Sequence, residues 1–340
     1  MASSSAVLLV LVSTLILFSP SLSQSSNSTT RCNPNDFKAL MQIKQSLNNP
    51  YQLASWVPNT DCCKWYAIEC DPDTNRVSAL SIFSANISAE FPAAVGDLTF
   101  LRTILFRKLT NLTGSIPSSL TKLTDLRTLT ISHTALSGAV PDFLSHLQNL
   151  QILDLSHNQL SGPIPPTLSA LPKLQSIHLD SNHLTGPIPD SFGRPVGPAP
   201  DLYLSRNRLS GQIPSSLGSV SFDTIDLSRN MLVGDASMLF GEGKTSVRVD
   251  LSSNMLDFDL SNVRFSRKLV TLDLSHNRIF GSVPRQLSQV DTLMGLKLSY
   301  NRLCGEIPVG GKLQSFGSSA YVHNKCLCGP PLPVKCNKRI

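Results

Sequence analysis

A thirteen-residue pattern, LDLSHNQLSGPIP at 153–165, returns in close copies at 177–189, 202–214, 272–284 and 296–308. Its asparagines, Asn158, Asn182, Asn207, Asn230, Asn254, Asn277 and Asn301, follow one another at steps of 23 to 25 residues, and all eight cysteines lie before the repeats or at and after the last one. These three observations predict a leucine-rich-repeat solenoid: an α/β right-handed superhelix with a concave parallel β-sheet, a second shorter sheet, short convex helical turns and a disulfide-bonded cap at each end. Degenerate copies at 80–92, 104–117, 129–141, 225–237 and 249–261 bring the count to ten turns. A length of 340 residues would ordinarily suggest two domains, but a repeat running through most of the chain makes one elongated body the better count. With 41% hydrophobic and 15% charged residues, there is ample apolar surface to bury.

From the amino terminus, residues 1–23 read as a secretory signal peptide. The apolar stretch from Ala6 to Phe18 is too short to span a bilayer, and Ser21-Leu22-Ser23 offers small residues for cleavage before Gln24. No later apolar run reaches the ~18 residues of a membrane span, so the expectation is a secreted, extracellular protein. Residues 24–76 read as a capping domain holding Cys32, Cys62, Cys63 and Cys70: Leu40, Ile43 and Leu47 recur at helical spacing within 36–47, and Trp56 and Trp65 can cover the first repeat. The solenoid is expected over 77–309, and 310–340, rich in Gly, Pro and Cys, is the opposite cap. A stacked array exposes its apolar core at both ends, and in an oxidising compartment disulfides hold short segments there as lids. Zinc binding by Cys326, Cys328 and Cys336 is disfavoured by their spacing, with only His323 as a further nearby ligand.

Each position of the repeat has a task. Leu153 and Leu155 point inward from a short strand and leave the residue between them facing solvent. Asn158 sits where the chain leaves the strand, and its carboxamide can satisfy buried backbone groups within and between turns. Gly162 permits a tight turn, Ile164 returns apolar volume to the core, Pro165 fixes an extended backbone, and Leu168 and Leu171 close the convex side. Ala85, Leu109 and Thr134 replace the asparagine in the first three turns, with an extra residue near Thr110, so irregular stacking is expected there. Ser237 and Ser261 replace the proline, and Phe258 the glycine, so the turns of Asn230 and Asn254 are expected to bulge on the second-strand side. SFGRPVGPAP at 191–200 reads as a convex loop.

Four strings carry a resemblance beyond the repeat: DCCKWYAIEC (61–70), GDASMLFG (234–241), LCGEIPVGGKLQSF (303–316) and HNKCLCGPPL (323–332). In these, and in its LxGxIP repeats, the chain resembles plant polygalacturonase-inhibiting proteins from about Cys32 to Cys336. The resemblance implies a cell-wall protein of plant defence that binds fungal, and sometimes insect, endopolygalacturonases and slows their cleavage of pectin. It also implies disulfides Cys32–Cys62, Cys63–Cys70, Cys304–Cys326 and Cys328–Cys336, contact with homogalacturonan through basic residues, and specificity at the exposed strand positions.

Those positions can be read turn by turn. Between the two leucines lie Ser81, Leu105, Thr130, Asp154, His178, Tyr203, Asp226, Asp250, Asp273 and Lys297; two residues on come Phe83, Arg107, Ser132, Ser156, Asp180, Ser205, Ser228, Ser252, Ser275 and Ser299. Parallel strands about 4.8 Å apart stack Asp226, Asp250 and Asp273, and a basic partner would relieve their repulsion. Aspartate also simply recurs in the LDLS pattern, so residues that break it weigh more: Thr130, His178, Tyr203 and Lys297 in place of aspartate, Asp180 in place of serine. The candidate partner-binding set is therefore Thr130, Asp154, His178, Asp180, Tyr203, Asp226, Asp250, Asp273 and Lys297.

A net charge of +6 on an exported protein points to acidic wall polysaccharide rather than nucleic acid. Arg107 with Lys108, and Arg206 with Arg208, Arg229 and Arg248, are candidates to contact pectin, a solvated basic surface being the plainer alternative. His133, His157 and His276 occupy equivalent positions before the ladder residue; the first two, in neighbouring turns, are placed to share a metal, but no carboxylate partner is evident in the sequence and solvated histidines are favoured. Carboxylates about 5 Å apart match a retaining glycosidase pair, yet an open face does not desolvate an acid. With no P-loop, HExxH, GxSxG or GxGxxG signature, the chain is expected not to be an enzyme, to need no cofactor or metal and to be a monomer. Sequons mark Asn27, Asn86 and Asn111 for N-glycosylation. Two other binding readings stand beside inhibition: a co-receptor-like recognition module, and an ice-binding antifreeze-type relative, which would need a flat array of exposed Asn or Thr.

Overall fold

The computed structural model describes residues 32–336; the signal-peptide reading, its cleavage site and the Asn27 sequon lie outside the described residues. The paired leucines of each turn are buried completely, as with Leu153 and Leu155 or Leu202 and Leu204, and the extended backbone between them pairs with the same segment of the next turn. The result is an eleven-stranded sheet in chain order. Its first strand, Ile68–Cys70 of the amino-terminal cap, is antiparallel to Val77–Phe83; from there to Gly295–Lys297 the ten solenoid strands run parallel. Fully burying one leucine stabilises by roughly 1.5–3 kcal/mol, so every turn adds a similar increment and contacts mainly its neighbours.

Asparagines terminate the strands. Asn182, 5% exposed, donates through Nδ2 to Leu155 O (2.9 Å) in the preceding turn and Leu179 O (3.1 Å) in its own, while its Oδ1 accepts from Leu160 N (2.9 Å). Asn207, Asn230, Asn254, Asn277 and Asn301 repeat these contacts one turn on. Thr134 enters the ladder by relay: its hydroxyl donates to Asn158 Oδ1 and accepts from Leu136 N. On this long sheet the first three turns stack regularly, against expectation, whereas on the second face Ala89–Glu90 and Leu112–Thr113 form a separate two-stranded sheet that does not continue into Ser137–Ala139. The first three turns carry the longest strands of the long sheet, Val77–Phe83, Thr103–Leu109 and Thr128–Thr134, because without a carboxamide to take the backbone groups the chain keeps pairing, as far as Leu109 with Thr134.

The second face is a six-stranded parallel sheet from Ser137–Ala139 to Met255–Leu256. It stops at the turn of Asn254, where Phe258 is buried in place of glycine, and a single bridge, Asp259 with Phe280, leads to a separate three-stranded sheet. The turn of Asn230, also expected to bulge, keeps Met231–Gly234 paired on both sides, since Gly234 still supplies the left-handed turn at φ +79°. The third side is a row of single 3-10 turns that bury Val95, Leu120, Leu144, Leu168 and Leu287. These turns touch closely: a Cβ on Gly96 would lie 2.3 Å from Ser119 O.

Both ends are closed. Helix Pro34–Ser46 starts at Asn33, whose side chain accepts from Asn35 N, and buries Leu40 and Ile43. It also buries Asp36, which accepts from Arg76 Nε (2.9 Å) and Nη2 (2.8 Å) and from Val77 N (2.9 Å), tying the helix to the first solenoid strand. Trp56 is wholly buried, stacks on Trp65 at 5.6 Å and donates from Nε1 to Tyr66 O. Disulfides Cys32–Cys62 and Cys63–Cys70 hold this cap, and Cys304–Cys326 and Cys328–Cys336 hold the other. There, Leu298 N and Tyr300 N donate to Ala320 O and Val322 O beyond the last long-sheet strand, and Cys326–Cys328 extends the neighbouring sheet. Buried Tyr321 donates to Leu313 O, and burial pushes its phenol well above the usual range.

Candidate partner-binding face

On the long sheet, the residues between the inward leucines lie side by side. Asp154, His178, Tyr203 and Asp226 are register partners in succession, followed by Asp250, Asp273 and Lys297. The His178 and Tyr203 rings stack at 4.1 Å, and Lys297 Nζ reaches Asp273 Oδ2 at 3.1 Å. Thr130 is not part of the exposed row: its short side chain, between Leu105 and Asp154 on the flanking strands, is 7% exposed.

The second expected row is corrected more broadly. Ser132, Ser156, Ser205, Ser228, Ser252, Ser275 and Ser299 are buried. A local lock explains several of them: Asp226 Oδ1 accepts from Ser228 N (3.0 Å) and Oγ (2.7 Å), and Asp154 with Ser156 and Asp273 with Ser275 do the same. Asp250 accepts from Ser252 N at 2.9 Å. The recurring aspartate thus has a structural task, fixing the strand exit through one oxygen; in Asp273 the other oxygen pairs with Lys297. Burial pushes the Asp250 carboxyl above its ordinary value; Ser252 opposes the shift, and the charges of Asp273 and Asp226 add to it.

Asp180 has a different environment. His157 Nε2 lies 3.6 Å from its Oδ2, so a carboxylate partner does exist for one of the three histidines that the sequence left without one. Burial raises the Asp180 carboxyl, against His157 and His178, which favour its ionised form. The His157 ring stacks on His133 at 4.0 Å, and burial, reinforced by His157, lowers His133 below the ordinary histidine value.

These histidines belong to a longer row, of which the sequence marked only His133, His157 and His276 as equivalent positions. The residue before each ladder position adopts a left-handed conformation: Lys108, His133, His157, Ser181, Arg206, Arg229, Ser253, His276 and Tyr300 all have φ between +54° and +58°. Left-handed residues break the alternation of the strand, so the side chains project along one edge of the sheet. Tyr300 is stacked between His276 at 4.1 Å and His323 at 4.3 Å. The signal was present as a second variable column of the LDLSxN run, beside the one between the two leucines.

The candidate basic residues do not gather into one patch. Arg206 and Arg229 are neighbours on this edge, Arg206 N donating to Ser228 O. Arg107 and Lys108 lie four turns earlier, Arg248 opens its strand at the other side of the sheet, and Arg208 begins a strand of the second sheet. Asn86 and Asn111 are exposed in adjacent turns, with Asn111 Nδ2 donating to Asn86 Oδ1 at 3.0 Å. Cys62, Cys63 and Cys70 bring their sulfurs within 4.8 Å of one another, but all three are spent in disulfides and offer no thiolate to a metal.

Comparison with known proteins matches residues 33–71 to a leucine rich repeat N-terminal domain and 124–184, 201–220 and 268–290 to leucine rich repeat families. A protein of Vitis vinifera named polygalacturonase inhibitor is 61% identical over 97% of this chain and 96% of its own length. Polygalacturonase inhibitor 1 of Arabidopsis thaliana is 62% identical over 89% of this chain and 92% of its own. Among solved structures, that of a plant ice-binding protein is similar at a TM-score of 0.88 and 47% identity, covering 91% of this chain and 99% of the other. With the repeat, its caps and these relatives in agreement over nearly its full length, the chain belongs to the polygalacturonase inhibitor family of leucine-rich-repeat proteins.

Proposed function

We propose that this chain is a secreted plant cell-wall protein that binds fungal endopolygalacturonases, and insect ones, across the concave face of its long sheet and so blocks pectin cleavage in defence. The observation behind this reading is 61% identity, over 97% of the chain, with a protein named polygalacturonase inhibitor. The face supplies the means. A row running from Asp154 through His178, Tyr203, Asp226, Asp250 and Asp273 to Lys297 is held rigid by the asparagine ladder, so a partner meets it without ordering a loop first. Inhibition is steric: the inhibitor covers the substrate cleft, and none of its own residues reacts. Asp226, Asp250 and Asp273 favour a basic surface opposite them. Arg107, Lys108, Arg206, Arg229 and Arg248 are the candidates to touch homogalacturonan, and Asn86 and Asn111 to carry glycans. The test is a reducing-sugar assay on polygalacturonic acid with a panel of fungal enzymes, with and without the purified protein. Slower release by at least some enzymes is expected; full activity across a broad panel rejects the reading.

One observation favours a second reading, ice binding. Besides the likeness to a plant ice-binding protein, five hydroxyl residues, Thr113, Ser137, Ser161, Thr185 and Ser210, each lie in a second-face strand directly after a buried leucine, in successive turns. Thermal hysteresis in the purified protein, lost on Thr185→Tyr, would establish it; a freezing point equal to the melting point rejects it.

A further inference from the structure

At the carboxyl-terminal end of the long sheet lies a cavity of about 510 Å³. Asp250, Thr271, Asp273 and Lys297 line it from three neighbouring strands, and Phe316 and Ser319 of the terminal cap form the opposite wall. Its origin is a missing side chain. At the position that opens each strand the preceding turns carry Thr224, Arg248 and Thr271, and this turn carries Gly295. Nothing in the backbone demands glycine there: its φ is not positive, and an added Cβ would meet only Thr271 Cγ2 at 3.3 Å and Cβ at 3.8 Å. What glycine provides at this position is the space itself.

The charges in the cavity do not balance. Lys297 is committed to Asp273 at 3.1 Å. Asp250, half-buried, has no cation within ion-pair distance among the described residues; beside it are the Ser252 amide and, in register on either side, the like charges of Asp226 and Asp273. The floor is apolar, built from Leu272 and Leu296 with the Phe316 ring at the side. A cationic head on an apolar stem fits both halves: the stem replaces water against Phe316, and the head supplies the counter-charge that Asp250 lacks.

We propose that this cavity is a binding site for an arginine or lysine side chain presented by a protein partner, with Asp250 as its counter-ion and Gly295 as the residue that opens the space. The proposal rests on the inhibitor reading for the partner's identity, but the cavity can be tested without any enzyme. The probe is N-acetyl-arginine methylamide, followed by saturation-transfer NMR on the full secreted protein at neutral pH, with the uncharged citrulline analogue as control. Wild type is expected to bind the arginine probe and not the citrulline one. Gly295→Thr, which fills the space and leaves every charge in place, and Asp250→Asn, which keeps the Ser252 hydrogen bond, should each weaken binding about tenfold or more; Asp125→Asn, an exposed carboxylate outside the cavity and outside the binding row, should not. Equal binding by all four proteins, no binding by wild type, or equal binding of the citrulline analogue overturns the site. A protein that binds the probe yet inhibits no polygalacturonase rejects the inhibitor reading and leaves the cavity standing; one that inhibits yet ignores the probe does the reverse.

Discussion

Replacing Asn182 by alanine tests whether the ladder holds the face together, and its cost can be worked contact by contact. Four backbone groups lose the carboxamide: Leu155 O, Leu179 O, Leu160 N and, at a long 3.3 Å, Asp180 O, which still accepts from His157 N at 2.9 Å. They are not equally harmed. Leu155 O still accepts from Asn158 Nδ2 at 2.9 Å, and Leu179 O from Asn207 Nδ2 at 2.9 Å, because each carbonyl is shared by two successive ladder residues. Leu160 N has no other acceptor and is left buried without a partner. An orphaned amide costs about 1–3 kcal/mol and each of the two short bonds whose acceptor stays satisfied about 0.5–1 kcal/mol, so the loss should be roughly 2–5 kcal/mol, or roughly 5–15 °C in melting temperature. Asn182→Asp separates the two roles: an oxygen remains for Leu160 N, but a buried negative charge now faces two carbonyl oxygens. It should cost at least as much as alanine at neutral pH. Denaturant unfolding with the disulfides intact measures both, and native-state hydrogen exchange at Leu160 reports the orphan directly. A loss under about 1 kcal/mol for the alanine variant, or near-wild-type stability for the aspartate one, refutes the shared-acceptor account.

Asp36→Ala strands the Arg76 guanidinium and Val77 N beside the buried helix and should cost about 3–5 kcal/mol, read as a lower urea midpoint and faster proteolysis of the amino-terminal cap; an unchanged midpoint contradicts it. Gly96→Ala should destabilise by about 1–3 kcal/mol, since its Cβ cannot fit 2.3 Å from Ser119 O, whereas Gly295→Ala should be tolerated; comparable melting temperatures for the two variants would count against close stacking of the convex turns. Burial lowers His133, so the folded protein resists its protonation: that contribution to stability is present above the ordinary value of 6.5 and is lost as pH falls through the folded value. Asp180, Asp201 and Asp250 are raised, so their ionised forms disfavour the folded state and protonation as pH falls restores stability. His133→Asn, which tolerates the left-handed backbone, should therefore flatten the loss of melting temperature between neutral pH and the histidine range; an identical slope rejects the assignment. Asp226→Lys should weaken inhibition of a sensitive polygalacturonase about tenfold or more at unchanged circular dichroism, and full potency would move the interface off the acidic row.

The architecture was legible because a repeat states the same physical instruction ten times: any one LxLxxN is weak, but seven asparagines at steps of 23 to 25 residues leave little else for the chain to form. The first three turns misled because a missing asparagine looks like a lost contact in sequence, whereas in space the strands stay in register as far as Leu109 beside Thr134, and Thr134 N donates on to His157 O. Thr130 and the serines misled for a related reason. Period-2 alternation says which way a residue points, not whether its neighbours are taller, and a short side chain between longer ones is covered. The Asp36–Arg76 pair, 40 residues apart in sequence, carries no local signal.

The edge row shows how such a protein separates constancy from variation. A ladder residue must be Asn, Thr or a group the strand can replace, because several buried backbone atoms depend on it. The residue before it must only accept a left-handed backbone, which costs any non-glycine side chain about 1–2 kcal/mol but places no demand on what the side chain carries. Lys108, His133, Arg206, Arg229 and Tyr300 satisfy that condition equally while differing in charge, size and titration. The strand row is more constrained, since its aspartates also lock the serines two residues on. Substitution along the edge should therefore alter recognition at smaller cost to folding than the same substitution at Asp154, Asp226 or Asp273. Specificity between related partners is expected to follow the edge residues and the ends of the acidic row rather than its locked centre, and exchanging Arg206 and Arg229 for serine, with stability and inhibition measured on the same preparation, separates the two contributions.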